Sequence, residues 1–299
     1  MFATSIVLKT PDDFGFWSTV WCTYWCALHP FHFNENEKTL TRIQKLTSGK
    51  IVRAITQQKR RGTVSVNVES HEKLSENDLE ELKDVLATCL RLDEDISPLY
   101  NLLEDYPEYN WVQKIGAGRT LRSPTVFEDI VKTICSTNCG TRQTRGMVAR
   151  LCTKLGEPYT AEFYTFPTPD KMASATASFM RKEIRAGYRA EYLAELAQKV
   201  ASGTLNVEKW RTSKLDTLTL KKEIKRIKGI GDYAADNILK LLGKYDFLAL
   251  DTWLRRQFAK IYNQGKPATD QQIEEWYAAF GEWKGLVMWL DMVKDFLIK

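Results

Sequence analysis

The first seventy residues read as β, with apolar and polar positions alternating in stretches, and the pattern switches to helical spacing after Ser75. Ser5–Lys9 reads as a short strand, Leu40–Gln57 as strand structure around a Ser48-Gly49 turn, and Gly62–Val68 as a strictly alternating strand. Ser75 is placed to cap a helix whose Leu79, Leu82, Val85, Leu86 and Leu90 share one face. Further helical patterns run over 97–105, 124–137, 141–155, 168–177, 179–185, 189–202, 216–226, 232–242, 252–262, 269–280 and 284–297. Most of the connections are short and carry Gly, Pro, Asp or Asn. The expected fold class is α+β, mainly α. A small antiparallel sheet domain occupies 1–72, and a body of about eleven helices occupies 73–299.

Composition narrows this picture. Apolar residues are 43% and charged residues 27%, enough to bury a core and too apolar for wholesale disorder. The net charge of +5 permits an anionic partner without requiring one. The six cysteines make no C-x2-C pair, and three dispersed histidines do not complete a zinc site, so buried reduced thiols are expected. Phe14–Phe31 is long and almost uncharged, but Gly15, Ser18, Thr19, Thr23 and Pro30 interrupt it, which favours buried aromatic structure over a membrane span. The start of the chain has no leader pattern, and a cytoplasmic, monomeric protein is expected.

The stretch with most chemistry is 221–243. A basic helix ends in Lys225-Arg226-Ile227-Lys228, Gly229-Ile230-Gly231 makes a tight turn, and a second helix starts at Asp232. Glycine permits the positive φ of such a turn and a close approach of ligand to backbone. The free amides and positive dipole end of the second helix suit a backbone phosphate, with Lys228, Gly229, Ile230 and Gly231 as the candidate contacts; a plain helix-to-helix turn is the other reading of the same residues. The loop 244–256 then brings Asp251 to the start of another helix. Taken singly, Asp251 reads as an N-cap residue.

Hairpin and Asp251 together resemble the helix-hairpin-helix (HhH-GPD) DNA glycosylase superfamily, whose essential Asp follows a diagnostic position by about eighteen residues; that position here is Tyr233. Gly118-Arg119-Thr120-Leu121-Arg122, Ile134–Asn138, Arg145–Cys152, Ala186–Ala190 and Trp283-Lys284-Gly285 are similar to the 8-oxoguanine glycosylase branch. The resemblance implies a two-lobed helical body, double-stranded DNA as partner, and excision of a flipped, damaged base. It assigns Asn138 and Arg189 to the orphaned opposite base, cytosine in that branch, with Tyr188 as the wedge. Gln143 stands where a third reader, an Arg, is expected. Read without the resemblance, Asn138 is a helix-end cap and Arg189 a solvated face residue.

Departures from the family pattern carry the mechanistic expectation. Bifunctional members hold a Schiff-base Lys where this chain has Tyr233, which implies a monofunctional hydrolase in which Asp251 stabilises the sugar cation and orients water. Tyr233, Asn237 and Leu241 lie at helical spacing, and Met288, Met292 and Trp253 replace the branch's Gln, Phe and His. Such an aromatic-thioether pocket resembles the alkylpurine (3-methyladenine) branch and suits a flat cationic base. The resemblance also implies a structural Na+, K+ or Ca2+ ion on the carbonyls of Lys225, Ile227 and Ile230. With no Cys after Cys152, no iron–sulfur cluster and no other cofactor is expected. Two rivals stand beside the alkylpurine reading: an 8-oxoguanine glycosylase acting opposite cytosine, and a non-catalytic DNA-binding protein.

Overall fold

The computed structural model describes residues 1–298. Five strands form one antiparallel sheet in the order β1-β5-β4-β3-β2: β1 (Phe2–Lys9), β2 (Phe31–Asn34), β3 (Thr39–Lys45), β4 (Ile51–Arg60) and β5 (Thr63–Ser70). Between β1 and β2 lie α1 (Phe16–Trp21) and a 3-10 turn, Tyr24–Ala27. Helices α2 (Glu76–Leu90), α3 (Ser97–Leu103), α4 (Asn110–Lys114), α5 (Val126–Ser136) and α6 (Thr141–Leu155) follow. The chain continues through α7 (Pro169–Ala173), α8 (Ala177–Lys182), α9 (Arg189–Ala201), α10 (Thr217–Ile224) and α11 (Asp232–Leu241). It ends in α12 (Thr252–Tyr262), α13 (Asp270–Tyr277) and α14 (Lys284–Leu297).

The pattern-based expectations locate most elements; α1 and α4 fall outside them, the 168–177 and 179–185 patterns become the shorter α7 and α8, and three further corrections follow. The first strand begins at Phe2 rather than Ser5, because the whole segment from Phe2 to Lys9 pairs with β5. The strand β2 was hidden inside the aromatic run, since four residues are too few to show a period. The 269–280 pattern ends as a helix at Tyr277, and Gly281 interrupts the 3-10 segment Ala278–Trp283 with φ 54°.

Strand and helix divide near residue 72, but the core does not. Ile6, Leu8, Val52, Ala54, Val64 and Val66 pack in one cluster with Leu82 and Leu86 of α2 and Ile130 and Ile134 of α5. A buried ion cluster ties sheet to helix as well: Arg42 on β3 makes paired bonds to Glu128 on α5 at 3.1 and 2.8 Å, and Lys132 reaches the same carboxylate at 2.7 Å. A second cluster joins α3, α4 and α12–α14 through Leu99, Val112, Phe258, Tyr277 and Leu290. The fully buried Arg91 links the C-terminus of α2 to that of α11, donating at 2.7 Å to the carbonyls of both Lys240 and Leu241. Those two carbonyls belong to the last turn of α11, whose acceptors have no partners within the helix; that of Lys240 also accepts from the Gly243 N–H at 3.1 Å. No described helix is long and apolar enough to cross a membrane.

Candidate active site

The hairpin forms because two buried anchors, Ile227 and Ile230, hold its ends in the core while the polar residues between them stay outside. The Ile230 N–H donates to the Ile227 carbonyl at 3.1 Å, closing the turn. Gly229 is required there. Its φ is +89°, and an added Cβ would meet the Tyr192 ring at 2.2 Å. Gly231, expected to share that role, instead has extended backbone and open space around it; it is the N-cap of α11. Lys228 is exposed beside it. Lys225 is less free than the sequence suggests, pairing with Asp232 at 2.8 Å.

Asp251 satisfies both readings that its sequence position allows. Oδ1 accepts from the Leu254 N–H at 2.7 Å and caps α12, while Oδ2 accepts from the Tyr233 hydroxyl at 3.4 Å. Burial first, then the negative charge of Asp251, pushes the Tyr233 phenol well above its ordinary range, so it stays a hydrogen-bond donor. Asn237 donates to the Tyr233 carbonyl at 2.9 Å. Two residues before Asp251, buried Ala249 takes a positive φ of 51°, a conformation uncommon for a residue with a side chain.

These groups border a cavity of about 550 Å³, within the usual size of small-ligand sites. Tyr233, Asn237, Asp251 and Trp253 line it, as the sequence indicates. Leu241, Met288 and Met292 do not; all three are buried in the cores. The register of α14 explains the correction. Trp289, Val293 and Phe296, spaced by four and three residues, turn to the cavity, and the methionines one position earlier turn inward. The rest of the wall comes from the aromatic run at and after the end of α1, where Trp21, Cys22, Thr23, Tyr24, Trp25 and Cys26 line the cavity, joined by Ser136 at the end of α5 and Cys139 beyond it. Burial pushes the Cys22 thiol up to about 11 and the Tyr24 phenol to about 12, so both remain protonated donors. The length and low charge of Phe14–Phe31 were visible in the sequence; that it forms a site wall was not.

A second group assembles at the rim. Asn138, with φ +47°, donates to the Tyr188 hydroxyl at 3.3 Å. Arg189 lies 4.5 Å from the Tyr188 ring and donates from Nε to Thr137 Oγ1 at 3.3 Å. Tyr188 is 50% exposed and Arg189 only 7%, so the ring projects while the guanidinium is held behind it. Arg189 is therefore not a solvated face residue. Gln143 stands exposed on the first turn of α6, outside this hydrogen-bonded group.

The HhH-GPD superfamily base excision DNA repair profile matches residues 131–279, which contain the hairpin, Tyr233 and Asp251. The chain belongs to this superfamily. An N-glycosylase/DNA lyase of Saccharomyces cerevisiae is 25% identical over 125 residues, 40% of this chain and 33% of the yeast protein. The matched region thus spans about a third of that relative's length. The 3-methyladenine DNA glycosylase of Archaeoglobus fulgidus is similar over 97% of this chain and 99% of its own, with a TM-score of 0.75 at 20% identity. The Clostridium acetobutylicum 8-oxoguanine glycosylase/lyase is similar over 96% and 95%, with a TM-score of 0.73 at 23% identity. These two likenesses establish a shared fold; the chemistry rests on the residues of the site.

Proposed function

We propose that the protein is a monofunctional DNA glycosylase of base excision repair, which flips a damaged purine from the duplex and hydrolyses its N-glycosidic bond. The observation that carries this is the Tyr233–Asp251 pair on an aromatic cavity: a carboxylate held by a helix N-terminus, with a phenol rather than an amine beside it. As the base departs, positive charge grows at the sugar C1′, and a fixed carboxylate stabilises it. Asp251 Oδ1 is committed to the cap, which leaves Oδ2 to face the sugar or its attacking water. The Tyr233 phenol has no lone-pair amine to form a Schiff base, so water is the nucleophile. The yeast relative is named as a lyase as well as a glycosylase; Tyr233 argues against lyase activity here.

Trp21, Trp25, Trp253, Trp289 and Phe296 give the flipped base stacking surfaces, and this aromatic wall favours an N-alkylated purine, which is flat, cationic and a good leaving group. A second reading, 8-oxoguanine opposite cytosine, is favoured by the Asn138–Tyr188–Arg189 group at the rim. The hairpin amides of Lys228, Gly229 and Gly231 would hold a DNA phosphate, while that of Ile230 closes the turn. The neutral carbonyl oxygens of Lys225, Ile227 and Ile230 are of the kind that alkali and alkaline-earth cations take, and an ion held there would supply positive charge for a DNA phosphate. The test is a side-by-side time course on matched duplexes carrying 7-methylguanine, 3-methyladenine or 8-oxoguanine opposite each base. Faster release of the alkylpurines supports the first reading; cytosine-dependent removal of 8-oxoguanine alone supports the second. Removal of none refutes the glycosylase assignment.

A further inference from the structure

Lys240 lies seven residues beyond Tyr233 on α11, two helical turns on, which returns it to the stripe that carries Tyr233 and Asn237. It is buried, and its ammonium sits 4.7 Å from the centroid of the Trp289 ring. Trp289 is a wall of the cavity; its ring centre is 6.1 Å from that of Trp253, and its indole N–H donates to the Cys22 carbonyl at 3.1 Å and thiol at 3.3 Å. Among the described residues Lys240 makes no ion pair and no side-chain hydrogen bond, and the direct contact of its charge is the Trp289 ring. The ionisable groups around it are Cys22 after α1, Asp251 at the start of α12, and Asp236 on its own helix, itself bound to Lys221 at 2.6 Å. From α2, Arg91 adds a second cation against the Lys240 carbonyl at 2.7 Å.

We propose that Lys240 is a specificity-determining residue that sets the charge of the base admitted to the cavity, opposing a cationic base and accepting a neutral one. The proposal rests on the reading of the cavity as a base pocket; within that pocket the Lys240 charge counts against the cationic alkylpurine and for the neutral base of the second reading, while the other aromatic walls count the other way. An ammonium on the Trp289 ring already occupies the attraction that the indole offers to cations, and its unpaired charge acts over several ångströms in a poorly solvated wall. Burial brings the amine down to about 8. Its opposition to a cation is therefore complete below that pH and fades above it. Alkylpurine recognition should strengthen as pH rises through this window, whereas recognition of neutral bases should change little.

The experiment measures binding, so that it does not depend on turnover. Two duplexes carry 2′-fluorinated, uncleavable nucleotides of matched shape: cationic 3-methyladenine and neutral 3-methyl-3-deazaadenine. Dissociation constants are measured by fluorescence anisotropy at pH 6.5 and pH 9 for the wild type, Lys240→Met and Lys240→Arg, with melting curves to confirm folding. The expected result is that Lys240→Met shifts the cationic-to-neutral affinity ratio toward the cation by about tenfold at pH 6.5, the equivalent of one pKa unit of coupling. That difference should shrink at pH 9, while Lys240→Arg, charged at both pH values, should discriminate at both. Equal ratios in all three proteins overturn the proposal. So does binding of neither probe above undamaged DNA, which removes the base pocket as well. A ratio that shifts as expected, in a protein that excises none of the tested lesions, leaves the charge assignment standing and refutes the glycosylase assignment alone.

Discussion

Replacing Asp251 by Asn separates the two jobs that the structure gives this side chain. The cap uses Oδ1, which accepts from the Leu254 N–H at 2.7 Å, and an Asn side-chain oxygen can take its place. Asn and Asp are comparable N-caps, so stability should change by less than about 0.5 kcal/mol. The second oxygen, 3.4 Å from the Tyr233 hydroxyl, loses its charge. Removing one preorganised electrostatic contact from a transition state typically costs about 2.7–4 kcal/mol, or about 10²–10³ in rate. Asp251→Ala should show a similar rate deficit but also lose the cap, adding about 1 kcal/mol of destabilisation. Single-turnover excision with enzyme in excess reports the rate, anisotropy on an uncleavable duplex reports binding, and urea melts report stability. Two variants with equal rates and unequal stabilities match the structure. A near-wild-type rate in Asp251→Asn would reduce this residue to a cap and remove its electrostatic role.

Other parts of the structure yield equally direct tests. Gly229→Ala should lose about 1–3 kcal/mol of stability, measured by denaturant melts, because its Cβ collides with the Tyr192 ring at a positive φ. Gly231→Ala, with open space around it, should fold normally and weaken DNA binding only. Burial alone would raise the pKa of Glu128, but Arg42 and Lys132 hold it down at about 2. Its stabilising contribution is therefore present above the ordinary carboxylate range and lost as pH falls from about 4.5 toward 2, so Tm should drop there and drop less in Glu128→Gln. Asn138→Ala should lower any preference for cytosine opposite the lesion by about tenfold, roughly one lost hydrogen bond of about 1.4 kcal/mol, measured as relative excision against the four opposing bases.

Long periodic elements were legible in the sequence because burial of one face imposes the period: the boundaries of α6 and α12 agree residue for residue with the pattern. Tyr233, Asn237, Asp251 and Trp253 were legible because they lie close together in sequence around the hairpin and its loop. Met288 and Met292 were placed in the pocket, where Trp289 and Phe296 stand, because a register set by tertiary packing cannot be read from a helix that is apolar on most of its faces. The wall from Trp21 to Cys26 was missed for a related reason. Its residues meet the hairpin helix only after some two hundred residues of intervening chain, and composition marks them as core. Lys240 is buried although lysine is almost always exposed, so nothing in the sequence distinguishes it from a surface residue.

Hydrolysis without a protein amine at C1′ is the step on which the proposed chemistry turns, and strand integrity after base release probes it without intermediaries. A duplex labelled at its 5′ end, carrying the lesion found to be excised fastest, is incubated to completion and divided between neutral quench, hot alkali and borohydride. The expected products are an intact abasic strand after the neutral quench, cleavage only after alkali, and no covalent protein–DNA adduct with borohydride. Efficient cleavage without alkali, together with a trapped adduct, would contradict water as the nucleophile and place an amine at C1′.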